Sequence, residues 1–278
     1  MDFKDIKLIL DQLNIKPRKH LGQNFIVDTN IKKKIVNISN ISNEDIILEI
    51  GPGLGGITEL LIEKAKKVIA VEIDSVLSNY LLEKFSVYDN IEFISGNILE
   101  IEIPFHNKVV SNIPYKITGP ILEKIFFKKN APYGILTIEK SIATRIYSFN
   151  NYRNFSRISV GMNSFMQPLL NINVSRNSFY PIPKIDLALI KIIPKENLDP
   201  FLHRKASRDF YLKFIAGIMP YKNKNIVNAL YFFFKVNKKL SYTKERIFKV
   251  LKENNFEDKK IFNLTIDDFI ELSKIFYS

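Results

Sequence analysis

The stretch Glu49-Ile50-Gly51-Pro52-Gly53-Leu54-Gly55-Gly56 is where the fold of this chain becomes readable. It follows a β-branched run, Ile46–Ile50, and precedes a helical pattern with Ile57, Leu60 and Leu61 on one face. A strand that ends in glycines and restarts as a helix opens a ligand-binding βαβ unit. Glycines let the backbone turn sharply and let a ligand approach it closely. Glu72 ends the next apolar run, 21 residues beyond Gly51, close to the ~20 expected of a carboxylate that binds ribose hydroxyls.

The pattern continues outward from this unit. Val68–Val71, Ile91–Ile94, Lys108–Ser111 and Gly134–Ile138 read as further strands, and segments 57–67, 75–85 and 118–129 between them read as helices. Such alternation predicts an α/β fold, a Rossmann-like doubly wound parallel sheet with helices on both faces. Two later apolar runs, Leu170–Val174 and Leu187–Ile193, are candidates to extend the sheet. Upstream, residues to about 44 look helical apart from an irregular stretch, Lys16–Phe25. The texture changes near Pro194: from Leu198 onward the periodicity is helical, and Thr265 with Asp268 forms the signature of a helix-starting capping box. The expected organisation is a ligand-binding domain over 1–194 and a smaller all-helical domain over 195–278.

Gly51, Gly53 and Gly56 satisfy the dinucleotide pattern G-x-G-x-x-G, but the stretch also fits E-x-G-x-G-x-G through Glu49, Gly51, Gly53 and Gly55, with Glu49 just ahead of the glycines. The second pattern belongs to proteins that bind S-adenosylmethionine. That cofactor has no pyrophosphate, so Pro52 inside the loop is tolerable, and a carboxylate can orient the loop and the cofactor's positive end.

A second motif, Asn112-Ile113-Pro114-Tyr115, falls at the end of the fourth expected strand. Ligands of doubly wound sheets bind at the carboxyl ends of strands, so Asn112 should face the same crevice as Gly51 and Glu72. The pattern N-[IL]-P-Y resembles the signature of methyltransferases that act on planar exocyclic amines. An adenine amino group is a poor nucleophile, because its lone pair is delocalised into the ring. Asn112 Oδ1 and a neighbouring backbone carbonyl can accept its two N–H bonds and favour a pyramidal nitrogen. Tyr115 can stack on the base. The sulfonium is a good leaving group, so positioning and electrostatics carry the rate, and a chain with three histidines lacks nothing it needs.

Composition sets outer limits. Among 278 residues, 46% are hydrophobic, enough to bury a substantial core. The net charge of +12 fits a polyanionic partner such as RNA and equally a lysine-rich solvated surface. No cysteine is present, which excludes disulfides, thiol nucleophiles and Cys-ligated zinc; no metal is expected. The N-terminus lacks a signal-peptide core, and no apolar run reaches the ~18 residues of a membrane span. A soluble, cytoplasmic monomer with no membrane partner is expected.

Taken in order, four segments resemble the ribosomal RNA adenine dimethyltransferases of the kasugamycin-sensitivity type. They are Pro17-Arg18-Lys19-His20-Leu21-Gly22-Gln23-Asn24-Phe25-Ile26, the glycine loop, the Asn112–Tyr115 tetrapeptide and Ser178-Phe179-Tyr180-Pro181-Ile182-Pro183-Lys184-Ile185-Asp186. Phe155–Val160 adds a weaker match. The resemblance implies that Asn24, Ile26, Gly51, Gly53, Glu72, Asn97 and Asn112 contact S-adenosylmethionine. It implies that Asn112, Pro114 and Tyr115 form the catalytic tetrapeptide, with Tyr115 and Phe179 sandwiching the target adenine. The implied substrate is small-subunit rRNA in an immature ribosomal subunit, dimethylated on two adjacent adenosines. Arg18, Lys19, Arg153, Arg157, Lys222, Lys224, Lys238 and Lys239 are candidates to contact its phosphates. Two positions depart from the family pattern. Asn97 stands where aspartate is usual, and Leu187 where a small polar residue is common.

Three other readings compete. The 23S rRNA adenine methylases of macrolide resistance share the loop and the tetrapeptide; Arg18-Lys19 and Ser156–Val160 favour the small-subunit enzyme. A non-catalytic ribosome-assembly or transcription factor could use the same scaffold, although its tetrapeptide need not be intact. An NAD oxidoreductase leaves Asn112–Tyr115 unexplained.

Overall fold

A computed structural model describes residues 1–18, 21–147, 154–237, 242–256 and 259–277. Nine strands are present among them: β1 (Phe25–Ile26), β2 (Ile46–Ile50), β3 (Lys67–Glu72), β4 (Ile91–Ser95), β5 (Lys108–Asn112), β6 (Tyr133–Glu139), β7 (Met166–Val174), β8 (Phe179–Tyr180) and β9 (Leu187–Pro194). The helices of the first part of the chain are α1 (Phe3–Gln12), α2 (Thr29–Ser39), α3 (Thr58–Ile62), α4 (Ser75–Lys84), α5 (Thr118–Phe126), α6 (Lys140–Tyr147) and α7 (Arg157–Phe165). Beyond residue 194 come α8 (Lys205–Ile218), α9 (Ile226–Val236), α10 (Lys244–Glu253) and α11 (Ile266–Ile275).

Seven strands form the main sheet in the order β4-β3-β2-β5-β6-β9-β7. The five from β4 to β6 are parallel. Of these, β2, β3, β5 and β6 are almost continuously buried, as strands covered on both faces must be. The chain leaves β2 toward β3 and β4, then crosses back to β5, which puts the topological switch point between β2 and β5.

The sheet is not parallel throughout. β9 runs antiparallel to both β6 and β7. The connection from β7 to β9 has no crossover helix to return the chain for a parallel partner. β7 is the edge strand. Exposed and half-buried residues alternate along it, and Pro168 sits beside a register shift, a position where the missing N–H costs little. The helix expected over 57–67 is shorter, because Lys67 already belongs to β3. The capping box expected at Thr265 is present, with Asp268 N donating to Thr265 Oγ1 and Thr265 N to Asp268 Oδ2.

Among the described residues after Pro194, helices dominate and pack on α7. Phe165, Tyr211 and Phe269 join one apolar core with Leu136 of the sheet. Tyr211 Oη and Ser164 Oγ meet at 2.6 Å inside it, tying α8 to α7. Leu187 is explained by the same logic. It is 1% exposed and packs with Val174 and Phe179, where a polar side chain would lose its water without gaining a partner.

Candidate cofactor and base-binding crevice

The loop after β2 turns by left-handed backbone at Gly51 (φ +65°), Gly53 (+62°) and Gly55 (+80°), while Gly56 has no positive φ. The conformation therefore follows E-x-G-x-G-x-G and not G-x-G-x-x-G. A Cβ on Gly53 would come within 3.0 Å of the Phe25 ring, so any side chain there would push on the wall of the crevice. Behind the loop, Glu49 is 2% exposed and accepts a hydrogen bond from Thr58 Oγ1 at 2.7 Å. Burial pushes its carboxyl up to about 8.

Glu72, at the carboxyl end of β3, is also buried. One of its oxygens accepts from Gly53 N at 3.2 Å, the other from Asp74 N at 2.9 Å. These bonds aim the carboxylate at the loop. Burial raises its pKa, and the two backbone bonds oppose that rise. Asn97 follows β4. Its Oδ1 accepts from Leu99 N at 3.1 Å and its Nδ2 donates to Glu100 Oε1 at 2.7 Å. An aspartate here would set two carboxylates against each other, so Glu100 gives the departure a physical reason.

Asn112 closes β5. Its Nδ2 donates to the Asn24 carbonyl at 3.0 Å. A carbonyl only accepts, so this bond fixes which end of the amide points where. The other end, Oδ1, is buried and has no partner. Pro114 is wedged between two glycines: a Cβ on either Gly22 or Gly51 would lie 3.5 Å from its ring.

The loop, Glu72, Asn97 and Asn112 line one crevice of about 900 Å³, counting its open mouth, together with Asn24, Ile26, Gly53 and Pro114. Tyr115 and Phe179 lie apart from its lining. Phe179 is 2% exposed on β8, paired with Ile26 of β1, and Tyr115 packs on the same apolar cluster. Tyr115 Oη is buried without a partner, and that burial raises its pKa. The two aromatics expected to sandwich a base thus lie in the apolar cluster and not in the crevice lining.

The family model for "Ribosomal RNA adenine dimethylase" matches residues 14–275. The chain belongs to this family. Within the dimethylase family, it is 35% identical over 271 residues to the ribosomal RNA small subunit methyltransferase A of Fusobacterium nucleatum, covering 95% of this chain and 99% of that one. It is 37% identical over 231 residues to the protein of the same name from Mycoplasmopsis pulmonis, covering 82% and 89%. A dimethyladenosine transferase from Plasmodium falciparum superposes with a TM-score of 0.74 at 28% identity, over 89% of this chain and 95% of that one. A 23S rRNA methyltransferase shares the fold, with a TM-score of 0.63 at 22% identity, over 91% and 100%.

The basic candidates are placed less simply than the dimethylase motifs. Lys19, Arg153, Lys238 and Lys239 lie outside the described residues. Arg18 pairs with Asp74 at 3.3 Å and Arg157 with Glu123. Lys222 Nζ donates to the Phe155 carbonyl at 3.1 Å, and Lys224 lies over the Phe232 ring at 5.9 Å. Each therefore has an internal contact as well as surface to offer. Two residues with no role in the sequence reading, Gln23 of the crevice lining and buried Asp74, are bonded to each other at 2.9 Å. Asp74 had a usable signal, since an aspartate directly before a helical pattern is a helix N-cap. It does cap α4, accepting from Val76 N.

No helix among the described residues is long and apolar enough to cross a membrane.

Proposed function

We propose that this protein methylates two adjacent adenosines near the 3′ end of small-subunit (16S-type) rRNA, twice each at N6, using S-adenosylmethionine. The observation that carries the reading is Asn112 at the switch point, a residue lining the crevice: its amide NH₂ is tied to Asn24, leaving a buried, unpartnered oxygen. Such an acceptor suits an exocyclic amine, which brings two N–H donors. The crevice fits the cofactor. Glu72 stands where ribose hydroxyls can donate to it, and the left-handed glycines leave the backbone uncovered.

Bound S-adenosylmethionine supplies an electrophilic methyl group on a positively charged sulfur. The chain supplies position. Asn112 Oδ1 and a neighbouring carbonyl accept the N–H bonds of the amine and aim its lone pair at the methyl carbon. Held by the glycine loop, Glu72 and Asn97, S-adenosylmethionine would give up that methyl group to the amine nitrogen and would keep the C–S electron pair on sulfur. The surplus amine proton passes to water. Tyr115 and Phe179 hold the base plane once they are exposed to it. No residue has to act as a strong base, so orientation and fixed dipoles carry the rate. Residues 195–278 are assigned to RNA and ribosome recognition. The protein acts as a monomer in the cytoplasm, without a metal.

Mass mapping of methylated adenosines in rRNA from cells with and without the protein tests this directly. The expected result is loss of dimethyladenosine from small-subunit rRNA alone. Loss from large-subunit rRNA would move the protein to the macrolide-resistance type, and no loss from either would leave a non-catalytic assembly factor.

A further inference from the structure

Arg18 and residues 21–24 run from the end of β3 to the end of β5, bordering the crevice on the way. At the β3 end they are held by Asp74, whose side chain is fully buried. Asp74 Oδ2 accepts from Gln23 Nε2 at 2.9 Å and pairs with Arg18 Nη1 at 3.3 Å. Gln23 uses the other end of its amide to accept from Arg18 N at 2.8 Å. At the β5 end, Gly22 rests against Pro114 and the Tyr115 backbone, and the Asn24 carbonyl takes the bond from Asn112. Asp74 N donates to Glu72 Oε1. One aspartate thus touches the ribose-side carboxylate directly and the amine-binding amide through a short run of chain.

An N-cap alone would not need this arrangement. Capping α4 uses only Oδ1, which accepts from Val76 N at 3.1 Å, and Ser, Thr or Asn would serve equally. Burying a full carboxylate is costly unless it is paired and bonded, and the second oxygen is spent entirely on Arg18 and Gln23. The consequence reaches Asn112. Its two amide ends are distinguished only by the Asn24 carbonyl, so a strap that drifts would let the amide turn and present NH₂ to an incoming amine.

We propose that Asp74 is a positioning residue, locking the strap formed by Arg18 and residues 21–24 through Gln23 and Arg18 so that the cofactor wall and the Asn112 amide are set before substrate arrives. Arg18 then serves this internal lock in addition to any phosphate. The inference rests on the function proposed above for Asn112, but its main readouts need no RNA.

Asp74→Asn in the full-length chain keeps the cap oxygen and turns the second oxygen into a donor facing the Gln23 donor. Calorimetry with S-adenosylhomocysteine should show affinity about tenfold lower, the scale of one charge-assisted hydrogen bond. Amide exchange of residues 21–26 should accelerate. Adding Gln23→Glu restores a donor opposite an acceptor and returns a carboxylate to Arg18; most of the affinity and protection should come back. Gln23→Ala removes the same bond without touching the helix cap, and decides the matter if Asp74→Asn does not fold. In methyl transfer to immature small subunits, Asp74→Asn should lower kcat and leave the KM for RNA unchanged. Unchanged affinity and exchange in Gln23→Ala, or no recovery in the double variant, would reduce Asp74 to a helix cap and overturn the proposal. If wild-type protein methylates no small-subunit rRNA, the function fails, while binding and exchange still decide the strap.

Discussion

The two sides of the crevice are finished to different degrees. On the cofactor side the polar groups are satisfied within the chain: both Glu72 oxygens accept backbone N–H bonds, Glu49 holds Thr58, and Asn97 is bonded at both ends of its amide. On the base side, Asn112 Oδ1 and Tyr115 Oη are buried without partners, and Phe179 is packed into the core. Buried polar atoms are nearly always bonded, so two orphans at the two ends of one tetrapeptide fit the proposed base site. In the function proposed above, the cofactor side is a preformed cradle, and the base side is completed by the base itself.

The contrast can be broken by substitution. The largest effect is expected from Asn112→Ala, which removes the orphan acceptor. Its kcat should fall about 100-fold or more, the loss seen when one positioned polar group is deleted. Cofactor affinity should change little. Near-wild-type turnover in a folded variant would reject the mechanism. Next in size is Glu72→Ala on the preformed side. Calorimetry should show cofactor binding weaker by about 1–3 kcal/mol, with an unchanged Kd counting against the ribose assignment.

Glu49 sharpens the comparison through pH. Its carboxyl is raised from 4.5 to about 8, so the fold prefers it protonated. The stability this group contributes is complete below its ordinary value and is lost as pH climbs through that window. Melting temperature of the ligand-free protein should therefore carry a downward slope between pH 5 and 8 that Glu49→Gln flattens. Identical profiles would show that this burial costs nothing. The smallest effect is expected from Tyr115→Phe. Deleting an unpartnered buried hydroxyl should leave the melting temperature unchanged or raise it slightly. A fall of several degrees would mean the hydroxyl is bonded in the free protein and the base side is less unfinished than it looks.

Much of this was legible before any coordinates. The loop after Ile50 announced itself, because only glycine adopts left-handed backbone cheaply, and the Thr265 capping box needed nothing beyond four consecutive residues. Less was legible where partners are distant. β1 and β8 are two residues long, too short for any periodicity, and pair across the chain as Phe25 with Tyr180 and Ile26 with Phe179. The periodicity does not predict α6 and α7, which lie between two clearer strands. The antiparallel course of β9 was invisible as well, since an apolar run looks the same in either direction.

The sequence by itself determined the order of strands and helices in the sheet's first half, the glycine turn, the carboxylate 21 residues later and the tetrapeptide at a strand's end. These depend on local backbone preferences and short spacing, which one chain states directly. Tertiary structure alone decided which end of the Asn112 amide is free, that Glu49 is desolvated, and that Asp74 reaches Gln23 and Arg18 across more than fifty residues. Each of those is a matter of which donor meets which acceptor after burial has removed water as the default partner, and no local pattern encodes that meeting.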